Sequence, residues 1–448
     1  MNPPLSLTTD SIARLTWRIA LPMSVGMFFN TMFNVVDTLC AGWLGTTALA
    51  ALSLSFPLYF VVMATGSGLS QGTTALMANY LGSGSRDEAR HVFAQSLLMS
   101  VVAGLVLTAL GLALAPAVFR FLGAEDAYLE TVLSYMRPIL IGSVAILLPM
   151  ALNAALMAAG ETRHFRNFLI AGFVANCALN PVLMWGLGPF PEMGVAGLAL
   201  STVLIQLGGI AFLGGQAWRS PVGHGLRASH FRPDPRLLRQ IAGQGVPAAL
   251  NMLTIALGVF VITWFVQRFG VNAVAAVGVA TRIEQIVLLP ALGLNSAVLS
   301  IVGQNHGAGR PERVREAYLT ALKAGAGLML AGGVLVWLLR GPAMRLFTPD
   351  ETVIALGKDY LLAASLTLAA YPIIFITVFA MQGVKKPSYG LWLGLYRQLA
   401  APVAVFHLLA FGLGWGLWGV WWGICFVTWS AALFSIYWGC RRFCAVKA

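Results

Sequence analysis

From Val92 to Phe119 the sequence runs for 28 residues without a charged side chain. A run this long and this apolar exceeds the ~20 residues a helix needs to cross a bilayer. It also far exceeds the ~10-residue alternating strands of a membrane barrel. Comparable segments lie at 17–43, 48–79, 92–119, 131–158, 166–188, 193–218, 241–267, 273–304, 316–339, 357–382, 389–412 and 416–440. Of the 448 residues, 58% are hydrophobic and 10% charged, where a soluble domain carries about 25% charge. A soluble enzyme, a disordered chain and a fibrous repeat are thereby excluded. The fold class is an all-α polytopic membrane protein with twelve transmembrane helices.

An even number of spans puts both termini on one side. If that side is cytoplasmic, 20 of the 28 Lys and Arg residues fall inside. Arg120, Arg268, Arg340, Arg345 and Lys358 fall outside, and Arg137, Arg282 and Arg397 lie within apolar segments. This bias follows the positive-inside rule. The expected location is a bacterial plasma (inner) membrane, with the lipid bilayer as surroundings and both termini cytoplasmic. The net charge of +12 is spread over loops, so no nucleic-acid partner is expected. A monomer is. The cysteines, Cys40, Cys177, Cys425, Cys440 and Cys444, form no C-x-x-C and sit mostly in apolar segments. They read as small buried hydrophobes and not as disulfides or metal ligands.

A shift of 225 residues superposes the chain on itself. Pro22 falls on Pro247, Gly45 on Gly270, Gly68-Leu69 on Gly293-Leu294, Gly82-x-Gly84 on Gly307-x-Gly309 and Tyr135 on Tyr360. Later, Gly160, Gly194 and Gly197 meet Gly383, Gly416 and Gly419 at shifts of 222–223. The chain is two six-helix lobes of equal orientation, related by a pseudo-two-fold axis along the membrane normal, as in parallel-repeat transporters. The expected division is an N-terminal lobe over 1–218, a cytoplasmic linker over 219–238 and a C-terminal lobe over 239–448. The linker region carries Arg219, Arg227, Arg232, Arg236 and Arg239 and reads as solvated.

Two acids, Asp37 and Glu284, lie well inside apolar segments. A carboxylate within a membrane is costly and points to function. Asn30, Asn34 and Asp37 share one helix face, as do Asn176 and Asn180, and Thr202 and Gln206. The repeat maps Asn30, Asn34 and Asp37 onto Ile255, Val259 and Ile262, and Thr202 onto Ile424. A network that merely joined helices would be expected in both halves, so the coupling site is placed in the first: Asp37, Asn34, Asn176, Asn180 and Thr202. A carboxylate removed from water takes up a proton more readily than one in solution, and amide oxygens could instead help hold sodium. The coupling ion is thus H+ or Na+, and no other cofactor is expected. Pro22 is the candidate hinge of the first helix. Met23, Met27, Asn30, Phe33, Gln206, Glu284 and Arg282 are candidate substrate-cavity residues, since Met and aromatic walls suit apolar, often cationic compounds. Glu284 and Arg282 point to different faces of one helix. Arg137 and Arg397 are expected near helix ends, with their charges reaching the interface.

The run LPMSVGMFFNTMFNVVDTLCAGWLGTTALAALSLSFPL resembles the first two helices of multidrug and toxic compound extrusion (MATE) transporters. ANYLGSGSRDEAR and VGQNHGAGRPERVREA resemble the family's cytoplasmic loops after helices two and eight. LNPVLMWGLGPFPEMGVAGLALST resembles helices five and six, and MQGVKKP the loop after helix ten. The resemblance covers nearly the whole chain. It implies secondary antiport, in which a V-shaped pair of six-helix lobes exports drug-like small molecules against proton or sodium entry. It implies a first-lobe cation site at Asp37, Asn176, Asn180 and Thr202. Some members have an acid where this chain has Asn180, which leaves one carboxylate here. Other members carry second-lobe acids on helices seven and ten, and the matching stretches NMLTIALGV and LAAYPIIFITVFAMQG have none.

Other readings are weaker. A lipid-linked sugar flippase of the same fold would need a more cationic cavity than three embedded arginines supply. A membrane enzyme would need clustered nucleophiles or metal ligands, and the six His lie in loops or singly. A channel would need a charged ring.

Overall fold

The computed structural model describes residues 6–444. Lys447 and the extreme ends of the two expected lobes lie outside them. Among the described residues, ten helices are long and apolar enough to cross a membrane. They are α1 (Ile12–Leu44), α2 (Thr46–Gly82), α3 (Arg86–Phe121), α6 (Arg163–Trp185), α7 (Val195–Arg219), α8 (Pro235–Val266), α9 (Val271–Gly307), α10 (Pro311–Arg345), the Ser388–Gly412 span and α15 (Leu417–Gly439). Two more spans are bent pairs, α4 (Asp126–Ile141) with α5 (Ser143–Ala158) and α11 (Glu351–Thr367) with α12 (Ala370–Gly383), broken by 46° and 49°. The twelve spans coincide with the twelve apolar segments of the sequence. The Ser388–Gly412 span alternates α13 (Ser388–Leu395) and α14 (Ala401–Phe406) with π-helical turns at Tyr396–Ala400 and His407–Gly412.

Both breaks have local causes. The first falls at the adjacent Gly142 and Ser143, a pair that commonly kinks helices. The second precedes Pro372, which has no N–H for the Leu368 carbonyl and whose ring crowds it. The repeat glycines set the tight connections. Gly45 and Gly270 adopt φ of 115° and 101° between consecutive helices, and Gly84 and Gly309 adopt 79° and 66°. Backbone at such φ is open to glycine and strained for other residues.

Packing divides the chain into two compact units, Val25–Ala249 and the segment up to Ser24 together with Leu250 onward. The cuts follow the repeat register and not the linker. The expected lobes, cut at 218 and 239, therefore exchange the first parts of α1 and α8. In the first unit the start of α8 lies against α2 through glycine. A Cβ on Gly68 would lie 2.5 Å from the Gly245 carbonyl oxygen and 2.6 Å from the Ala249 Cβ. In the second unit the start of α1 lies against α9 in the same manner. A Cβ on Gly293 would collide with the Ala20 carbonyl and the Ser24 side chain. Ser24 Oγ donates to the Ala20 and Pro290 carbonyls at 3.0 and 3.1 Å. Leu7, Ile12, Leu15, Ile19 and Ala20 share one apolar core with Leu294, Ala297, Val298 and Ile301.

The linker region is not a solvated tether. Gln95 on α3, fully buried, donates through Nε2 to the carbonyls of His230 and Arg232, both at 2.8 Å. Its Oε1 accepts the Asp234 N–H at 3.1 Å. His230 Nδ1 accepts the Arg227 N–H at 2.9 Å, which leaves Nε2 to donate to Asp87 Oδ1 at 3.3 Å. One side chain thus satisfies three backbone groups. Replacing it by Ala orphans them, at about 1–3 kcal/mol each. Gln95→Ala is expected to speed tryptic cleavage after Arg227 by roughly tenfold or more, read from the rate of fragment appearance. An unchanged rate would show that the segment is held by other contacts.

Two further expectations are corrected. Arg397 is not at a helix end. It sits half-buried in the Tyr396–Ala400 π-turn, with its guanidinium carbon 5.6 and 5.8 Å from the ring centroids of Tyr371 and Phe375. Cys177 and Cys440 are exposed, whereas Cys40 and Cys425 are buried. Helical phase contributes, because Cys177 stands about 100° around α6 from the fully buried Asn176. Arg137 is exposed and paired with Glu130 at 3.3 Å.

Candidate functional site

The first unit holds a buried polar cluster around Asp37, contributed by α1, α6 and α7. Asp37 is 8% exposed, and Asn176 and Asn180 are fully buried. Four residues is about one helical turn, so Asn176 and Asn180 stack on one face of α6. Asn176 Nδ2 donates to Asp37 Oδ1 at 2.9 Å, and Asn180 Nδ2 donates to the same oxygen at 2.8 Å. Asn176 Nδ2 also reaches Asn180 Oδ1 at 3.3 Å. Ser201 Oγ donates to Asn180 Oδ1. The Cys40 thiol lies beside Asn180, and Tyr59 and Tyr135 are within electrostatic range of Asp37.

Both amide bonds to the carboxylate end on one oxygen. Among the described residues, none donates to Asp37 Oδ2, and the buried Asn176 Oδ1 has no partner. These two oxygens are the chemically open positions of the cluster. A proton would reside on Oδ2. A monovalent cation would use Oδ2 with the amide oxygen. Ionised Asp37 is supported by two donors, which offsets part of the cost of holding a charge away from water.

Three sequence-predicted residues, Asp37, Asn176 and Asn180, are in direct contact. Asn34 is exposed and its amide donates back to the Asn30 carbonyl at 2.8 Å, and Asn30 is half-buried. Thr202 is buried but bonds the Leu198 carbonyl of its own helix at 3.2 Å. Its neighbour Ser201 takes the place expected of it. A hydroxyl at i−1 points about 100° away around the helix, so of the two adjacent hydroxyls Ser201 is the one that bonds Asn180. Gln206 is half-buried. Tyr59 and Tyr135 carried no polar-stripe pattern and were missed; the repeat match of Tyr135 with Tyr360 was the available signal. Pro22 and Met23 are buried and belong with the other unit, whereas Met27 and Phe33 are half-buried. Glu284 is buried and Arg282 exposed, on different faces as expected.

Twelve spans in two tandem repeats, with buried carboxylates inside them, define a multi-pass membrane protein of parallel-repeat type. The model of the MatE family matches residues 22–182 and 247–405, two stretches that begin on the repeat-related Pro22 and Pro247, and the chain belongs to this family of transporters. It is 28% identical over 407 residues to an FAD transporter of Shewanella oneidensis, covering 89% of this chain and 88% of that one. It is 26% identical over 432 residues to the probable multidrug resistance protein YoeA of Bacillus subtilis, covering 88% and 91%. Among solved structures it is similar to a multidrug resistance MATE family transporter in an outward-facing conformation, with a TM-score of 0.92, 27% identity and 99% coverage of both chains.

Proposed function

We propose that the protein is a secondary active exporter of apolar and cationic small molecules, driven by inward H+ or Na+ through Asp37, in a bacterial plasma membrane with both termini cytoplasmic. The observation that carries this reading is the bonding of Asp37 to Asn176 and Asn180 within the first unit, at 2.8–2.9 Å. The repeat places Ile262 at the position equivalent to Asp37. Ionised Asp37 keeps the site competent for a cationic drug, and its neutralisation from outside favours drug release there. The two ligands can drive such a cycle because they bind the two states differently. The names of several relatives, including the Bacillus protein, support the drug class.

A flavin dinucleotide is the second reading, favoured by the Shewanella relative. Its diphosphate would call for cationic lining. Uptake into inverted vesicles under separately imposed proton and sodium gradients, with a cationic dye and with FAD as alternative cargoes, decides between these. Dye movement driven by either gradient supports the first reading. FAD movement without dye movement overturns it.

A further inference from the structure

The second unit holds a buried polar cluster of its own. Glu284 on α9 is 7% exposed and its Oε2 accepts from the Tyr360 hydroxyl at 2.9 Å. Tyr371 lies against the same carboxylate, and Arg397 lies against Tyr371. The edge of Trp421 closes on the Tyr360 ring, with centroids 5.1 Å apart at 89°. Tyr371 follows the break between α11 and α12, and Arg397 occupies a π-turn. Both are backbone irregularities of a kind that recurs at functional sites.

The repeat relates this cluster to the first one. A shift of 225 puts Tyr59 on Glu284 and Tyr135 on Tyr360. In the first unit the two tyrosines lie within electrostatic range of a carboxylate supplied by α1; in the second, an acid stands at the position of one tyrosine while the other remains. A comparison of Asp37 with Ile262 alone therefore misses the second acid, because Glu284 stands on a different helix of its repeat.

We propose that Glu284 is a second proton-binding carboxylate, held by Tyr360, Tyr371 and Arg397 as the repeat-related counterpart of the Asp37 cluster. The charged and titratable groups facing it from the packed elements are Tyr360 of α11, Tyr371 of α12 and Arg397 of the π-turn, with Cys425 of α15 beside Tyr371. These groups supply hydrogen-bond donors and a guanidinium, and no set of amide or carbonyl oxygens. That chemistry suits a proton and is poor for a metal cation, which requires several oxygen ligands. No ion pair joins Glu284 to Arg397 among the described residues, and Tyr371 stands between them. Proton uptake by Glu284 changes the cluster from neutral to a net single positive charge, with no other group required to exchange. As a coupling site it rests on the reading of Asp37 given above; as a titrating group it does not.

Infrared difference spectroscopy on the full-length protein in lipid nanodiscs, stepped between pH 5 and 8, reads the protonated-carboxyl stretch directly. Asp37→Asn is expected to leave one titrating carboxyl component, which Asp37→Asn combined with Glu284→Gln removes. Tyr360→Phe in the Asp37→Asn background is expected to move that component's midpoint by about one pH unit, the size of one hydrogen bond to a charged group. Superimposable spectra of the Asp37→Asn protein with and without Glu284→Gln would overturn the proposal, as would a midpoint indifferent to Tyr360→Phe. Failure of the Asp37 reading has a different signature, namely identical spectra of Glu284→Gln with and without Asp37→Asn.

Discussion

Asp37→Asn is expected to reduce gradient-driven export to the passive background while leaving the protein folded. Asn is close to isosteric with Asp, and its amide oxygen can still accept the bonds from Asn176 and Asn180, at 2.9 and 2.8 Å in the native cluster. What is lost is the group that changes charge. Because the native bonds fall on one oxygen, the substitution disturbs the open oxygen Oδ2 and little else. The measurement is dye accumulation inside energised inverted vesicles, beside dye binding to the purified variant. Retained binding with abolished export supports coupling through Asp37. Export near the native rate would remove Asp37 from the coupling mechanism.

Gly68→Val and Gly293→Val are each expected to lower thermal stability in detergent strongly, by about 3 kcal/mol or more. A Cβ at Gly68 would stand 2.5 Å from the Gly245 carbonyl oxygen and 2.7 Å from the Ala249 nitrogen. These are backbone atoms and cannot swing aside, and branching at Cβ adds a further atom. The Gly293 contact is likewise partly with backbone, at Ala20. Small residues let membrane helices approach closely, and packing is a large part of what holds such helices together. Gly278→Val is the control, since a Cβ there meets nothing within 4 Å. Equal melting temperatures for all three variants would show that the helices separate without cost.

The span count was legible because each crossing needs a long apolar run, and a run survives any uncertainty of a few residues at its ends. The repeat was legible because its glycines answer to backbone geometry; Gly45 and Gly270 share a positive φ. Asp37, Asn176 and Asn180 were legible because polar groups are rare there and their spacing puts them on faces. Ser201 was not, since choosing between adjacent hydroxyls depends on helix rotation. Arg397 was misplaced because its guanidinium is held by the rings of Tyr371 and Phe375 on another helix, and no local residue pattern announces those partners. The docking of His230 and Arg232 on Gln95 was invisible for a further reason, because its acceptors are backbone carbonyls, which every sequence has.

The exchange of α1 and α8 between the compact units bears on how the protein is made. The ribosome delivers the segment up to Ser24 long before anything from Leu250 onward exists. The start of α1 must therefore wait in the bilayer for partners that are synthesised more than two hundred residues later, while the parts of Val25–Ala249 can close on one another first. A gene cut at the linker would yield two products that each lack part of a unit and carry part of the other. Neither would be complete alone, and each would hold a piece that its sister requires.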